Sequence, residues 1–433
     1  MKNWEKITLE NLIKGFRGVS YKPGNIKEGN DNKDFVLIRS NNIKNGTISL
    51  KDVIVIDKSC VSEVQRLNFG DIVVCMSNGS KELVGKSAMF KETVGDYCVG
   101  AFCSSFKSID NNSNEFIYYL FQSDEYRKQV DISLAGSAIN NLKNSTILNY
   151  EFLVPLDKAE QEKIANVLIK IDESIEKIQK LINKYNRIKI GMMQDLLTKG
   201  IDEEGNIRSE ETHEFRDSPL GRIPTEYFCE NFGEYANFKN GLNYNSEQVG
   251  EGLKIIGVSN FKNHMTIGYQ GLDELRGFER INPEYLLNDS DLLFVRSNGN
   301  KELIGRVLLI EKIKEPISFS GFTIRARIIN SAINARYIAY LFNASLIRKQ
   351  LVQFGGGTNI ANLSQEILSK IKILIPPTEE QKKIVNALDK INQKIDQQKA
   401  LLYKVQNLKA GLMQDLLTGK VSVTDLILED VGI

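Results

Sequence analysis

Short polar side chains recur beside glycine in two turns of the sequence. Ser77-Asn78-Gly79-Ser80-Lys81 is matched, 220 residues later, by Ser297-Asn298-Gly299-Asn300-Lys301. Asn can pair with adenine and Lys with guanine, Ser hydroxyls and backbone N–H groups bind phosphate, and glycine lets the backbone approach a duplex closely. A single Asn-Gly turn is usually only a turn. Its recurrence in both copies favours contact with a nucleic acid.

Other turns of the same character extend this candidate site. They combine Asn, Ser or Thr with glycine or with a nearby basic side chain. The predicted DNA-binding residues are Arg39, Ser40, Asn41, Asn42, Lys44, Ser77, Asn78, Ser80, Lys81, Asn140, Asn141, Arg296, Ser297, Asn298, Asn300, Lys301, Thr358 and Asn359. We predict no catalytic and no metal-binding residue.

The matched turns belong to a tandem duplication with a period of about 220 residues. EQEKIANVL at 160–168 returns as EQKKIVNAL at 380–388, and GMMQDLLT at 191–198 returns as GLMQDLLT at 411–418. Such long-period self-similarity has to be recognised before any fold is assigned. Each copy is therefore a variable body followed by a better-matched segment.

The better-matched segments have the apolar spacing of coiled coils. Apolar side chains alternate at intervals of three and four, which is the a/d pattern. They are Ile164, Leu168, Ile171, Ile175, Ile178, Ile182 and Tyr185 in the first copy, and Ile384, Leu388, Ile391, Ile395, Leu402 and Val405 in the second, where polar Gln398 interrupts the pattern. So narrow a stripe suits one partner helix better than a globular core. We expect the two helices, each roughly 60 Å long, to pair antiparallel and to separate the bodies.

Start and stop signals flank both helices. Asp157 with Glu160, and Thr378 with Gln381, have the spacing of a capping box. Gly200 and Gly419 lie just past the last apolar turns, where a helix end favours glycine.

The bodies themselves show an α+β pattern. Apolar β-type runs at Phe35–Ile38, Val53–Ile56, Ile72–Met76 and Leu292–Val295 alternate with Asn/Gly turns, and one helix is expected in each body, near 115–130 and 334–353. The predicted organisation is a first body at 1–155, a first helix at 156–200, an acidic linker at 201–219, a second body at 220–375, a second helix at 376–419 and a tail at 420–433. We expect the linker to be exposed.

Composition limits the chemistry of the chain. Its 433 residues carry 56 Lys+Arg and 55 Asp+Glu, a net charge of +1. Because the linker holds two basic and seven acidic side chains, the rest carries +6, which makes polyanion binding plausible. The five Cys and two His lack metal-ligand spacing. Neither a membrane span nor a signal peptide is evident, so we expect a cytosolic protein.

Motifs of the enzymes that act on DNA are missing. An adenine-methyltransferase loop is approached most nearly by Asn282-Pro283-Glu284-Tyr285, but this segment has Glu in place of the second proline. A phosphate loop is approached by Gly85-Lys86-Ser87, which lacks the first glycine of that motif. No proline is followed by Asp, as the carboxylate motif of many nucleases requires. The sequence favours a protein that recognises a site over one that reacts with it.

The chain resembles the specificity subunits of type I restriction–modification enzymes. The resemblance covers nearly the whole chain and rests on the body–helix–body–helix order, the EQ-x-KI openings of both helices, the G-x-M-Q-D-L-L-T ends and Ser218-Pro219-Leu220-Gly221-Arg222-Ile223-Pro224. It implies that each body reads one half of a bipartite asymmetric DNA site, while the coiled coil sets the spacer and docks methyltransferase subunits.

The resemblance also implies where the chemistry is done. S-adenosylmethionine would be bound by the methyltransferase subunits, and ATP and Mg²⁺ by partner subunits that translocate and cleave DNA, with no cofactor on this chain. Two alternatives stay open: a DNA-recognition subunit of similar build in another defence or regulatory assembly, and an enzyme whose active-site residues are not recognised. Co-purification with a methyltransferase would separate the first alternative, and an activity of the pure chain on DNA would establish the second.

Overall fold

The computed structural model describes residues 3–27, 34–109, 112–135, 140–261, 265–278, 281–354 and 362–423. By its contacts the chain divides into two compact units. The first unit combines residues 1–180 with 400–433, and the second unit comprises residues 181–399. Each unit therefore joins one body to part of both long helices.

The first copy runs from the N-terminus to the end of the first long helix. Its elements are β1 (Trp4–Thr8), β2 (Ile13–Arg17), β3 (Phe35–Ile38), β4 (Ile43–Lys44), β5 (Thr47–Ile48), β6 (Ile54–Ile56), β7 (Ile72–Cys75), β8 (Ser87–Met89), β9 (Tyr97–Val99), β10 (Cys103–Ser108), α1 (Asn114–Phe121), α2 (Asp124–Ala135), α3 (Asn144–Leu148), β11 (Glu151–Pro155) and α4 (Lys158–Thr198).

The second copy begins with an added hairpin and then repeats this order, except that its described residues contain no counterpart of the β4–β5 pair. Its elements are β12 (Phe215–Ser218), β13 (Gly221–Pro224), β14 (Phe228–Asn231), β15 (Ala236–Asn240), β16 (Val249–Ile256), β17 (Asp273–Leu275), β18 (Leu292–Val295), β19 (Val307–Leu309), β20 (Ile317–Phe319), β21 (Thr323–Ile328), α5 (Ala335–Phe342), α6 (Ser345–Phe354), α7 (Gln365–Lys370), β22 (Lys372–Ile375) and α8 (Thr378–Leu417).

The two bodies share one sheet topology, which confirms the predicted duplication and the α+β class. The first body has sheets with strand orders β2-β10-β7-β8 and β6-β3-β9, and the second has β15-β21-β18-β19 and β17-β16-β20. β3 pairs parallel with β9, and β16 with β20, whereas the other ladders are antiparallel. The strands predicted from apolar runs are present. Among them, β7 and β18 are inner strands whose residues are all buried, as continuous apolar runs predict.

In each body, the first strand (in the second body, the first after the added hairpin) pairs with the last strand, which lies directly before the long helix. β1 pairs with β11 and β14 with β22, both antiparallel. In the second unit, the core around Phe232 and Phe294 also contains Ile384 and Leu388, from the first turns of α8. The first turns of α8 thus belong to the core of the second body as well as to the coiled coil.

The long helices pair antiparallel, as the second unit shows. Lys189 of α4 lies near Asp396 of α8, whereas the backbone N–H of Ile201, just past α4, donates to Glu380 at 2.8 Å. Positions later in α4 therefore meet earlier positions in α8. The predicted glycine caps are also confirmed, because Gly200 and Gly419 have φ of +70° and +69°, a left-handed conformation that other residues rarely adopt.

The predicted capping boxes are only partly correct. Asp157 Oδ1 accepts from the backbone N–H of Ala159 at 3.0 Å, but Glu160 and Gln381 direct their side chains to the bodies and do not cap their own helices. Thr378 lies inside the first turn of α8 and donates to Ala332 O. The second box is therefore wrong, because long-range partners compete for the same side chain.

The single helix predicted near 115–130 is two helices, α1 and α2. The break is at Ser123, whose hydroxyl donates to Leu120 O at 2.7 Å and accepts from the backbone N–H of Tyr126 at 3.2 Å. Such a side chain ends one helix and starts the next. The prediction at 334–353 fails in the same way, because α5 ends at Phe342 and α6 begins at Ser345.

The acidic segment at 201–219 is not the wholly exposed linker that its charge predicted. Ile201 and Arg208 are buried, and residues 215–218 pair with 221–224 in the β12–β13 hairpin. Arg208 is buried because it forms an ion pair with Glu380. Within the described residues, no helix is long and apolar enough to cross a membrane.

Candidate nucleic-acid interface

In the first body, three of the predicted turns converge on the tight turn between β9 and β10. The carbonyl oxygen of Phe102 accepts from the backbone N–H groups of Met76 at 2.8 Å and Ser77 at 3.3 Å. Asn140 Nδ2 donates to Gly79 O at 3.2 Å. The turns at 77–81 and 140–141 are thus held together by hydrogen bonds.

A buried thiol connects the third turn to this cluster. Cys75 Sγ donates to Ser77 O at 3.5 Å, and the side chains of Asn78 and Ser40 lie near enough to influence its pKa. Burial raises the pKa of Cys75, against the lowering effects of nearby Lys86, Ser77, Asn78 and Ser40. The thiol therefore stays protonated at neutral pH and supports the turns as a packed side chain.

The second body repeats this arrangement. The carbonyl oxygen of Phe322 accepts from the backbone N–H groups of Arg296 at 2.8 Å and Ser297 at 3.4 Å. The N–H of Leu363 donates to Arg296 O at 2.8 Å, as the N–H of Leu142 does to its counterpart in the first body. The same backbone pattern therefore presents the predicted turn in both bodies.

Within each turn, the first Asn has a defined role. Asn78 Oδ1 accepts from the backbone N–H of Ser80 at 3.0 Å, and Asn298 Oδ1 accepts from that of Asn300 at 2.8 Å. A bidentate contact with adenine needs both the amide oxygen and the amide N–H₂ group. In this conformation, Asn78 and Asn298 keep the N–H₂ group and one remaining lone pair of the amide oxygen for a base.

The remaining members of these turns differ in exposure. Ser80, Lys81, Asn300 and Lys301 are exposed, as are Asn41, Lys44 and Asn141. Ser40, Ser77, Ser297 and Asn140 are half-buried. The ammonium groups of the two matched lysines are thus free to reach a phosphate, whereas Ser77 and Ser297 lie at the base of the turns.

The arginines of the set are used partly by the protein itself. Arg39 Nη2 donates to Asp52 O at 2.7 Å. Arg296 Nη1 donates to Gly321 O at 3.5 Å, which lies in the turn that carries Phe322. Both guanidinium groups therefore brace the turns and keep further donors for a ligand.

The structure corrects the predicted site at Asn42, whose side chain is buried. Its side chain is 1% exposed, its Oδ1 accepts from the backbone N–H of Arg39, and its Nδ2 donates to Ser49 O and Lys51 O. Asn260 makes the equivalent bond to Gly257 N in the second body. Asn42 therefore shapes its loop and is not offered to DNA.

Two further predicted residues, Thr358 and Asn359, lie outside the described residues.

Each body is fixed to its helix by the Gln of the repeated Glu-Gln pair. Gln161 Oε1 accepts from the N–H of Ser113, the cap of α1, and its Nε2 donates to Pro155 O. Gln381 likewise accepts from the N–H of Asn334, the cap of α5, and donates to Pro376 O. Both side chains are buried. The motif thus ties the helix start to the body, a role that sequence spacing alone did not reveal.

The neighbouring glutamates have unequal environments. Glu160 accepts from Trp4 Nε1 at 2.9 Å. Glu380 is buried and accepts from Arg208 at 2.6 and 3.0 Å, from Tyr227 Oη at 2.6 Å and from Ile201 N. Burial, reinforced by the neighbouring Tyr337 and Glu380, raises the pKa of Tyr227, so its hydroxyl remains a donor.

Comparison with known proteins agrees with this architecture. The family model described as "Type I restriction modification DNA specificity domain" matches residues 1–187 and 231–407. The Type I restriction enzyme EcoKI specificity subunit of Escherichia coli is 25% identical over 97% of this chain and 90% of its own length. The MjaVIII specificity subunit of Methanocaldococcus jannaschii is 24% identical over 98% and 94%.

Solved structures show the same fold. The S subunit of a type I restriction–modification system from M. genitalium aligns with a TM-score of 0.56 at 17% identity, covering 96% of both chains. A chain from a study of complex assembly and conformational transition in the type I R-M system aligns with a TM-score of 0.58 at 14% identity, covering 97% of this chain and 99% of that one. With a family model that spans both copies, the chain belongs to the family of type I restriction–modification DNA specificity subunits.

Proposed function

We propose that each body of this chain reads one half of a bipartite, asymmetric DNA site for a type I restriction–modification complex. The observation that carries the proposal is the duplicated turn cluster, in which exposed Lys81 and Lys301 stand beside Asn78 and Asn298. Lysines can bind phosphates and the amide groups can reach base edges. Two bodies of one topology but different turn residues suit two different half-sites.

The coiled coil is proposed to set the spacer between the half-sites. α4 and α8 span 41 and 40 residues. Removing one heptad from each helix would shorten them by about 10 Å, at about 1.5 Å per residue. We expect the preferred spacer to change while both half-site sequences stay the same, and an unchanged spacer would exclude this role.

The long helices are also proposed to dock methyltransferase subunits. Ile188 in the second unit and Leu408 in the first occupy equivalent positions of the repeat, and both are exposed. Exposed apolar side chains on a helix are suited to a protein partner. Ile188→Glu and Leu408→Glu should each reduce the amount of methyltransferase that co-purifies, whereas Lys184→Glu, at an exposed polar position, should not.

Catalysis is assigned to those partners. S-adenosylmethionine would be bound by the methyltransferase subunits, and ATP and Mg²⁺ by the translocating and cleaving subunits. This chain would recognise the DNA sequence at which those partners act.

Mapping methylated adenines across a genome tests the proposed function. Cells that express the methyltransferase with this chain should carry methylation at one two-part motif, and cells without the chain should lack it. Methylation that is the same in both, or that follows one continuous motif, would contradict the proposal.

A further inference from the structure

Two phenylalanines occupy the tips of equivalent turns and are largely exposed. Phe102 lies between β9 and β10 and is 68% exposed, and Phe322 lies between β20 and β21 and is 63% exposed. Single exposed apolar residues are common on proteins. Here the same side chain is exposed at positions related by the repeat, which isolated surface variation does not explain.

The backbone of each turn is held rigidly against its body. Gly18 packs so closely that a Cβ there would lie 2.1 Å from Gly100 O, and a Cβ on Gly241 would lie 2.3 Å from Ser320 O. Since such contacts exclude any larger residue, both glycines allow a strand end to press on the turn. The ring is therefore presented outward from a fixed backbone.

Each ring is also part of the turn cluster described above. The carbonyl of Phe102 binds the start of the turn at 77–81, and that of Phe322 binds the start of the turn at 297–301. The turn tips that carry the rings are therefore bonded to the turns that carry the proposed phosphate-binding lysines and base-contacting amides. A surface that reaches DNA with these turns would bring the rings to it as well.

We propose that Phe102 and Phe322 contact the bases of DNA directly, one in each half-site. This inference rests on the proposed function. A phenyl ring carries no charge and no hydrogen-bonding group, so it cannot bind a phosphate. It can pack on a thymine methyl group or against the face of a base at an opened step. The two rings supply the apolar part of recognition, which the polar turns lack.

Salt dependence separates a base contact from a phosphate contact. The full chain, with any methyltransferase subunits that co-purify, is used to select a preferred duplex from a pool with a randomised central segment. Phe102→Ala and Phe322→Ala are then compared with the wild type on that duplex over a range of salt concentrations. We expect each to weaken binding about ten-fold or more without changing the salt slope, whereas Lys81→Ala should lower the slope by about one.

The position of the effect gives a second readout. Repeating the selection with each variant should relax the preference in one half-site only, and Phe102→Ala and Phe322→Ala should relax different halves. Phe69→Ala and Phe228→Ala are matched controls, because these side chains are 53% and 62% exposed and lie outside the turn clusters. They should leave affinity and motif unchanged. Thermal unfolding of all four variants should match the wild type.

Three results would count against the inference or its basis. Wild-type affinity and motif in both variants would overturn the inference and leave the proposed function intact. Weaker binding with a smaller salt slope and an unchanged motif would also overturn it, because the rings would then only position the lysines. Absence of any preferred sequence for the wild type would overturn the proposed function, and the inference with it.

Discussion

The junction between body and helix is built differently in the two units. In the first unit, Asp172 of α4 accepts from Tyr119 Oη at 2.8 Å and from Lys409 Nζ of α8 at 2.6 Å. The ammonium group also lies 5.6 Å from the centre of the Tyr119 ring. Burial and the negative charge of Asp172 raise the pKa of Tyr119. One carboxylate here links the body to both long helices.

In the second unit, the equivalent tyrosine has another carboxylate as its partner. Tyr340 Oη donates to Asp389 at 2.5 Å, and Arg336 of the body donates to the same carboxylate at 3.0 Å. Asn392 stands where the first unit has Asp172, and its Nδ2 donates to the tyrosine hydroxyl at 2.7 Å. Within the described residues, the hydrogen bonds of this tyrosine and this carboxylate join the body to α8.

The two lysines at equivalent positions of the repeat therefore have different surroundings. Lys409 is paired, whereas Lys189, its counterpart in α4, lines a cavity of about 720 Å³ beside Asn392. Burial and the neighbouring charge of Lys399 lower the pKa of Lys189. The duplication has kept a tyrosine bound to a helix carboxylate, but the residues around it have changed, so a motif match does not by itself predict the same contacts.

The largest expected difference between the junctions is at the matched glutamates. Glu380→Ala should reduce the free energy of unfolding by about 3–5 kcal/mol, because it leaves buried Arg208 without its partner. Glu160→Ala should cost only about 1 kcal/mol, since it removes one partly buried hydrogen bond. Chemical denaturation of the full chain measures both. If both variants lose the same free energy of unfolding, the buried ion pair does not distinguish the two junctions.

The matched glutamines should instead behave alike. Gln161→Ala and Gln381→Ala each remove bonds to a helix cap and to a strand end, and each should cost about 1–3 kcal/mol. The exposed neighbours Glu162 and Lys382 offer matched controls, and their replacement by Ala should have little effect. A loss at only one of the two glutamines would break the equivalence that the structure shows.

The smallest effect concerns the lysines and should differ in sign. Lys409→Met should destabilise the chain by about 1 kcal/mol, because Asp172 loses a partner. Lys189→Met should stabilise it slightly at neutral pH. The lowered pKa of Lys189 means that its charge opposes folding at any pH below that pKa, and that this penalty fades as pH rises through it. The measured advantage of Lys189→Met should therefore shrink at alkaline pH, and a constant or growing advantage would contradict this assignment.

Local signals in the sequence predicted much of the fold. Strands Phe35–Ile38 and Leu292–Val295, the long helices and their terminal glycines all follow from periodicity and residue type. What failed depended on distant partners. Gln381 matched a capping box but binds Asn334, 47 residues earlier, and Arg208 looked solvated but pairs with Glu380, 172 residues later.

The candidate site was predicted unevenly for the same reason. The matched turns made Asn78 and Lys81 candidates, because the repeat itself was the signal, and their contact with DNA stays a prediction. Asn42 was included wrongly, since residue type does not reveal that its amide is buried within its own loop. Phe102 was not among the predicted residues, because an apolar residue in an apolar run predicts core, although its match with the exposed Phe322 in the repeat could have drawn attention to it.

Motif mapping with changes confined to one body tests the central claim most directly. Asn78→Ala with Lys81→Ala alters the first body, and Asn298→Ala with Lys301→Ala makes the matched change in the second. Methylated adenines are then mapped in cells that express each variant with the methyltransferase. We predict that the first variant degrades one half of the two-part motif and the second variant degrades the other half. Loss of both halves together in either variant, or no change in either, would contradict the account.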